Sequence, residues 1–181
     1  IQAGADINLV VGAEVQTTQS ARVGGDYLAR ASHYSRQRAL DDFTFPCMFA
    51  MRTKAYREAH NIGEEEIDRV AVKAYENANK NPLAHMHTAK MTMERAQASD
   101  RNPRFLGNET YAPYMKVSDC SQVSDGASAL IVVSEDGLAK LGKSVGDVIE
   151  VSSVAVATGN LYEDGDMLKM DTTIAAAQKA Y

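Results

Sequence analysis

The chain has 181 residues, 45% hydrophobic and 24% charged, with a formal net charge of −5. That length suits one domain or one domain plus part of another, and the acidic balance argues against nucleic acid as a partner. Two cysteines, Cys47 and Cys120, make no disulfide framework, and no run of 18 apolar residues suggests a membrane span.

The elements follow in order. Residues 7–15, INLVVGAEV, form a nearly continuous apolar run around Gly12, the pattern of a strand buried on both faces. Residues 24–40 follow a Gly-Gly pair with helix-forming content. Their basic stretch RASHYSRQR (30–38) is suited either to a phosphate or, as the favoured reading, to a solvated helix face. Over 41–63, Pro46 marks a helix start, and Asn61 and Gly63 supply a stop. Residues 64–81 open with three glutamates, which suit the positive end of a helix dipole. Ile67, Val70, Ala71, Ala74 and Ala78 recur at helical spacing, and Pro82 ends the element. From 83 to 118 periodicity is lost in a segment rich in turn formers. A second buried strand is expected over 126–134, a short helix over 135–142 closed by Gly142, a third strand over 147–158, and a helix over 170–181 capped by Asp171 or Thr172. Strands alternating with helices define an α/β fold. The chain opens without Met, and its patterns run to both ends, so it is expected to be either a piece of a larger protein or a chain completed by a partner chain.

Some residue groups invite a chemical reading. His85 and His87 stand two apart, which on a helix places them on different faces, and no thiol or carboxylate lies at ligand spacing. Loop histidines are therefore favoured over a metal site. The first strand is not followed by a G-x-G-x-x-G turn. Cys120 lies ahead of a strand rather than at a helix N-terminus, with Asp119 and Asp125 as its charged neighbours. Negative charge raises a thiol pKa, so Cys120 is not expected to be a nucleophile. The stretch SQVSDGA instead builds a tight Asp-Gly turn before a small-residue strand. It leaves the Ser121 hydroxyl in a loop, free to meet a ligand.

DCSQVSDGASALIVVSEDGLAKLG and GADINLVVGAE resemble two strands of the N-terminal half of thiolases. A helical insertion separates them, as in that family. VIEVSSVAVAT and MDTTIAAAQKAY resemble the start of its C-terminal half. The form of DCSQVSDGA, GGDYLARASHYSRQR and NKNPLAHMHT is most similar to the sterol carrier protein type. The resemblance implies a thiolase-like layered α/β fold with four parts: a strand segment at 1–20, a helical loop domain at 21–116, a return to the N-terminal half at 117–146, and the start of the C-terminal half at 147–181. It implies Claisen chemistry on acyl-CoA or 3-ketoacyl-CoA through a cysteine nucleophile, with coenzyme A as substrate, no metal or redox cofactor, and a homodimer. The family's catalytic cysteines and histidines have no matching positions here, so catalysis is expected to lie outside these residues. Binding positions do match. Ser121 corresponds to the loop serine that meets the pantetheine arm of coenzyme A. Met48, and less closely Cys47, correspond to the acyl-pocket helix. Arg101, Arg104 and Lys116 are candidate partners for the phosphates. The family also implies a mitochondrial or peroxisomal location, with cytoplasm as the alternative. Two rival expectations are a thiolase-like protein that binds acyl-CoA without turning it over and a ketoacyl synthase relative.

Overall fold

The computed structural model of the protein describes residues 4–163 and 165–181. The described chain divides into two compact units, one built from residues 4–18, 124–158 and 172–181 and the other from 19–123, 159–163 and 165–171.

The first unit is organised on an antiparallel pair. Strand β1 (Ile7–Glu14) runs against β2 (Gly126–Val133), with Ile7 opposite Val133 and Glu14 opposite Gly126. Both strands form where the apolar runs place them. Their predicted burial on both faces is not met. Leu9, Val11, Leu130 and Ile131 are exposed, because two strands alone offer no second layer to cover either face. Beyond β1, Asp125 holds the chain. Its carboxylate accepts from the Gln16 and Thr17 N–H groups at 2.7 and 2.9 Å and from the Thr17 hydroxyl at 2.5 Å.

Helix α6 (Glu135–Lys140) begins at Ser134, whose Oγ accepts from the Gly137 N–H at 3.0 Å and donates to Asp6 Oδ1 at 2.9 Å. It ends with Gly142 at φ +64°. There the Gly142 and Lys143 N–H groups bond back to the Ala139 and Leu138 carbonyls, a glycine-closed helix end.

The third strand expected over 147–158 does not form. A strand is defined by its hydrogen-bonded neighbour, and among the described residues only β1 and β2 pair in a sheet. The segment instead lies along the final helix, α7, which spans Asp171–Ala180. The Ser153 hydroxyl donates to the Ala180 carbonyl at 2.8 Å, and Lys179 Nζ reaches the Val156 carbonyl at 3.4 Å. Asp171 is the first helical residue of α7 rather than its cap.

The second unit is helical. The single helix expected over 24–40 is instead α1 (Ala21–Ala29) and the one-turn α2 (Tyr34–Gln37). Ser20 starts α1 early by accepting from the Val23 N–H at 3.3 Å. Ser32 ends it, with both its hydroxyl and its N–H turned back to the Ala29 carbonyl.

Helix α3 (Thr44–His60) carries Pro46 in its first turn, where the missing N–H costs no intrahelical bond. It stops at Asn61, which adopts the left-handed conformation at φ 52°. Gly63 then opens α4 (Glu64–Lys80). Both long helices lie where periodicity and stop signals put them. Between α4 and residue 118 the irregular path contains one short α-helix, α5 (Met93–Ala96), and 3-10 turns at Ala112–Tyr114 and from Val117.

The core of this unit is small. Cys47, Ala50, Leu106 and Met115 are buried together, with Phe43 and Phe105 packed edge to face, ring centres 5.1 Å apart. The basic run at 30–38 is largely spent on the protein itself. Arg38 pairs with Asp26 at 2.6 Å and Asp42 at 3.3 Å, and Arg36 donates to the Tyr162 carbonyl at 3.0 Å.

Gly137 is the tightest point of the first unit. A methyl group there would sit 2.1 Å from the Asp6 carbonyl oxygen, which is backbone and cannot swing aside. Gly137→Ala is therefore expected to lower stability by about 1–3 kcal/mol or more, the range for overpacked sites. Urea unfolding of the two proteins side by side would measure it, and an unchanged midpoint would refute the close approach.

Candidate functional site

Within the helical unit, α3 and α4 leave a cleft of about 430 Å³ between them. Phe49 and Thr53 contribute from α3, and Ile67, Val70, Ala71, Ala74, Tyr75 and Ala78 from α4. The periodic stripe of α4 thus faces a cavity, and its alanines set the cavity's width. Met86 closes one side, and Tyr114, Met115 and the stretch from Ser118 to Gln122 supply the floor and rim. The turns around Met86 are tied to α4 by Asn79, whose side-chain amide donates to the carbonyls of His87 at 2.8 Å and Ala89 at 2.7 Å.

The lining is mainly apolar, with Ser118, Asp119, Ser121 and Gln122 gathered on one side. Ser121 is exposed and borders the cleft. Met48 is half-buried on α3 and does not belong to the lining, whereas its neighbour Phe49 does. Cys47 is fully buried in the core rather than in the cleft.

The loop that carries Ser121 is held from below by charge. Lys116 is buried, only 2% exposed, with Nζ 3.0 Å from Asp68, 3.2 Å from Asp119 and 3.2 Å from Glu64. Burial alone disfavours its ammonium. Asp68, Asp119 and Glu64 outweigh that cost, and its pKa is raised above the ordinary lysine value. The Asp68 oxygen nearest Nζ lacks hydrogen-bond alignment, so the ion pair rests on charge rather than on a directed bond. Asp119 also accepts from the Lys116 N–H at 2.8 Å, which folds 116–119 into a turn. Asn102, buried beside it, accepts from the Ser118 N–H at 2.9 Å and donates to the Ser118 hydroxyl at 2.9 Å.

These contacts correct one expectation. Lys116 is enclosed by carboxylates and is not open to a phosphate. Arg104 is engaged as well, with Nη2 2.7 and 2.8 Å from the two Glu64 oxygens. Arg101 is exposed.

Neither thiol is poised for nucleophilic attack. Cys120 is pushed up to about 11, first by burial and then by Asp119. Its Sγ lies 3.5 Å from the Met115 sulfur. Asp119 acts as the sequence suggested, but burial is the larger cause and leaves no sign in the local sequence. Cys47 is likewise raised to about 11 by burial and by Asp41. His85 and His87 lie in turns between α4 and α5, and among the described residues no group of three His, Cys, Asp or Glu side chains could hold a metal ion. None of the described helices is long and apolar enough to cross a membrane.

In sequence the two paired strands flank a helical insertion, within which the serine-bearing loop rims the apolar cleft. Residues 1–136 match the family model of the thiolase N-terminal domain. The chain belongs to the thiolase family. An acetyl-CoA acetyltransferase of Methanothermobacter thermautotrophicus is 28% identical over 138 residues, 76% of this chain and 33% of that protein. An acetyl-CoA acetyltransferase of Methanocaldococcus jannaschii is 30% identical over 145 residues, 79% of this chain and 34% of its own length. Sterol carrier protein 2 of Gallus gallus is 26% identical over 141 residues, 75% and 24% of the two chains. The chain thus spans about a third of the acetyltransferases it matches.

Both thiols titrate higher folded than unfolded, so they favour the folded state fully below pH 9.0 and lose that contribution as pH rises through about 11. Stability is expected to fall across this window. At pH 8, alkylation of both cysteines should run well below the rate in denaturant. Iodoacetamide labelling followed by peptide mass spectrometry checks this, and a thiolate-like rate at Cys120 would contradict the assignment.

Proposed function

We propose that the intact protein is a thiolase-type acyltransferase that cleaves or forms 3-ketoacyl-CoA, and that this chain supplies one wall of its acyl-CoA site. The observation that carries the reading is the apolar cleft with Ser121 on its polar side. A thioester substrate has an apolar acyl part and a polar pantetheine arm, and the cleft offers both surfaces in one place. In this reading the Ser121 hydroxyl meets the pantetheine arm, and Phe49, Tyr75 and Met86 contact the apolar part. Met48 stands one position from Phe49 on α3 and is proposed to border the acyl end.

The carbon–carbon bond changes by Claisen chemistry. A cysteine thiolate takes the acyl group, coenzyme A thiolate leaves or attacks, and the thioester acidifies its α-carbon. The nucleophile is proposed to lie outside residues 1–181, which agrees with the high pKa of both thiols here. Donors that stabilise the developing oxyanion are proposed to lie outside residues 1–181 as well. A homodimer is proposed with this activity. The same thiol observation favours a second reading, a relative that binds acyl-CoA without turnover.

Coenzyme A-dependent cleavage of acetoacetyl-CoA by the intact protein, followed by loss of the ketoacyl absorbance, separates the two readings. Turnover supports the enzyme, and binding without turnover supports the second. Ser121→Ala is expected to raise KM about three- to tenfold with kcat nearly unchanged, the pattern of a lost uniform binding contact. Filling the cleft with Ala74→Phe should discriminate against longer acyl chains, and comparing Phe49→Trp with Met48→Trp would identify which side chain walls the acyl end.

A further inference from the structure

We infer that Lys116, with Asp68 and Asp119, is a positioning clamp that fixes the Ser121 loop against the α4 wall of the cleft. This rests on the reading above, in which Ser121 meets the substrate. The clamp joins two elements that line the cavity. Asp68 sits on α4 one turn before Ala71, which lines the cleft, and Asp119 lies two residues before Ser121 and lines it too. The single ammonium of Lys116 reaches both carboxylates, at 3.0 and 3.2 Å. The turn that follows is rigid by its own bonds. Asp119 accepts from the Lys116 N–H, the Asp119 N–H returns to the Lys116 carbonyl at 3.1 Å, and the Cys120 N–H bonds the Val117 carbonyl at 3.2 Å. Displacing Lys116 therefore moves the turn as a block, and Ser121 with it.

Other bonds of this loop do not reach α4: Asn102 ties Ser118 to residues 96 and 97, and the Val117 N–H bonds the Pro103 carbonyl at 3.2 Å. The clamp, with Glu64 as a further α4 carboxylate shared by Lys116 and Arg104, thus holds the serine loop to the helical wall opposite. Long buried charges are costly to hold, and removing one member of such a set leaves its partners uncompensated. The expected consequence is a loop that opens while the rest of the unit stays folded, since the core around Cys47 does not include the ammonium.

The two cysteines make this measurable. Cys120 lies in the loop and packs against the edge of the core, whereas Cys47 is buried within it, so Cys120 labelling without Cys47 labelling reports loop opening and labelling of both reports opening of the core. In the intact protein, Lys116→Met and the milder Asp119→Asn are compared with Lys116→Arg and Ser121→Ala, reading both alkylation rates and the Kd for acetyl-CoA. Cys120 labelling is expected to rise about tenfold in Lys116→Met with Cys47 still protected, Kd to weaken about tenfold, and Lys116→Arg to recover part of both. Unchanged Cys120 labelling in Lys116→Met and Asp119→Asn overturns the clamp. So does joint exposure of Cys47 and Cys120 in both variants, which assigns the charges to the whole unit. If Ser121→Ala weakens acetyl-CoA and Lys116→Met does not, the clamp alone fails. If acetyl-CoA does not bind the wild-type protein, or Ser121→Ala leaves its Kd unchanged, the substrate role of Ser121 fails and the inference falls with it.

Discussion

The helical unit depends on one buried cation. Lys116 is almost wholly removed from water, and an unpaired ammonium there would cost several kcal/mol. It is kept charged by carboxylates drawn from two places: Glu64 and Asp68 from the first turns of α4, and Asp119 from the turn beyond it. Glu64 is shared with Arg104, so the set comprises three carboxylates and two cations. Helix, turn and irregular segment are tied at this point. The acids at the start of α4 serve the helix dipole and at the same time receive the lysine.

Around that point, an irregular segment is made definite by a few polar side chains rather than by a large core. Asn79 fastens the turns at 86–89 to α4, and Asn102 joins residues 96 and 97 to Ser118. Asp41 accepts from the Phe43 N–H at the start of α3 and from the Asn108 N–H across the chain, both at 2.8 Å. Each satisfies backbone or side-chain groups that would otherwise be buried without partners. Among the described residues the apolar cluster they frame contains four buried side chains, so directional bonds carry much of the specificity of this path.

What the sequence made legible divides along physical lines. Helices α3 and α4 and strands β1 and β2 were readable because their signals are local: Pro46, Asn61, Gly63, a repeating apolar face, and continuous apolar runs. The segment 147–158 reads as a strand by the same signals, yet strand formation requires a neighbour that propensity cannot supply. Ser121 could be placed in an exposed loop from the turn that follows it, and it borders the cleft. The burial of Lys116 could not be read, since its partners Glu64 and Asp68 lie about fifty positions away and a lysine before a turn looks solvated. For the same reason burial, the main cause of the raised Cys120 pKa, was invisible, while the smaller contribution of Asp119 was evident one residue away.

The cleft between α3 and α4 has a thermodynamic consequence. Where two helices leave room between them, their facing side chains lack the dispersion contacts that close packing would give. A molecule that fills the space supplies those contacts to the folded state alone. Occupancy and fold stability are then linked by mass action, at about 2.7 kcal/mol when ligand stands a hundredfold above its Kd. The resistance of the helical unit to heat becomes a function of how much of that molecule the solution contains.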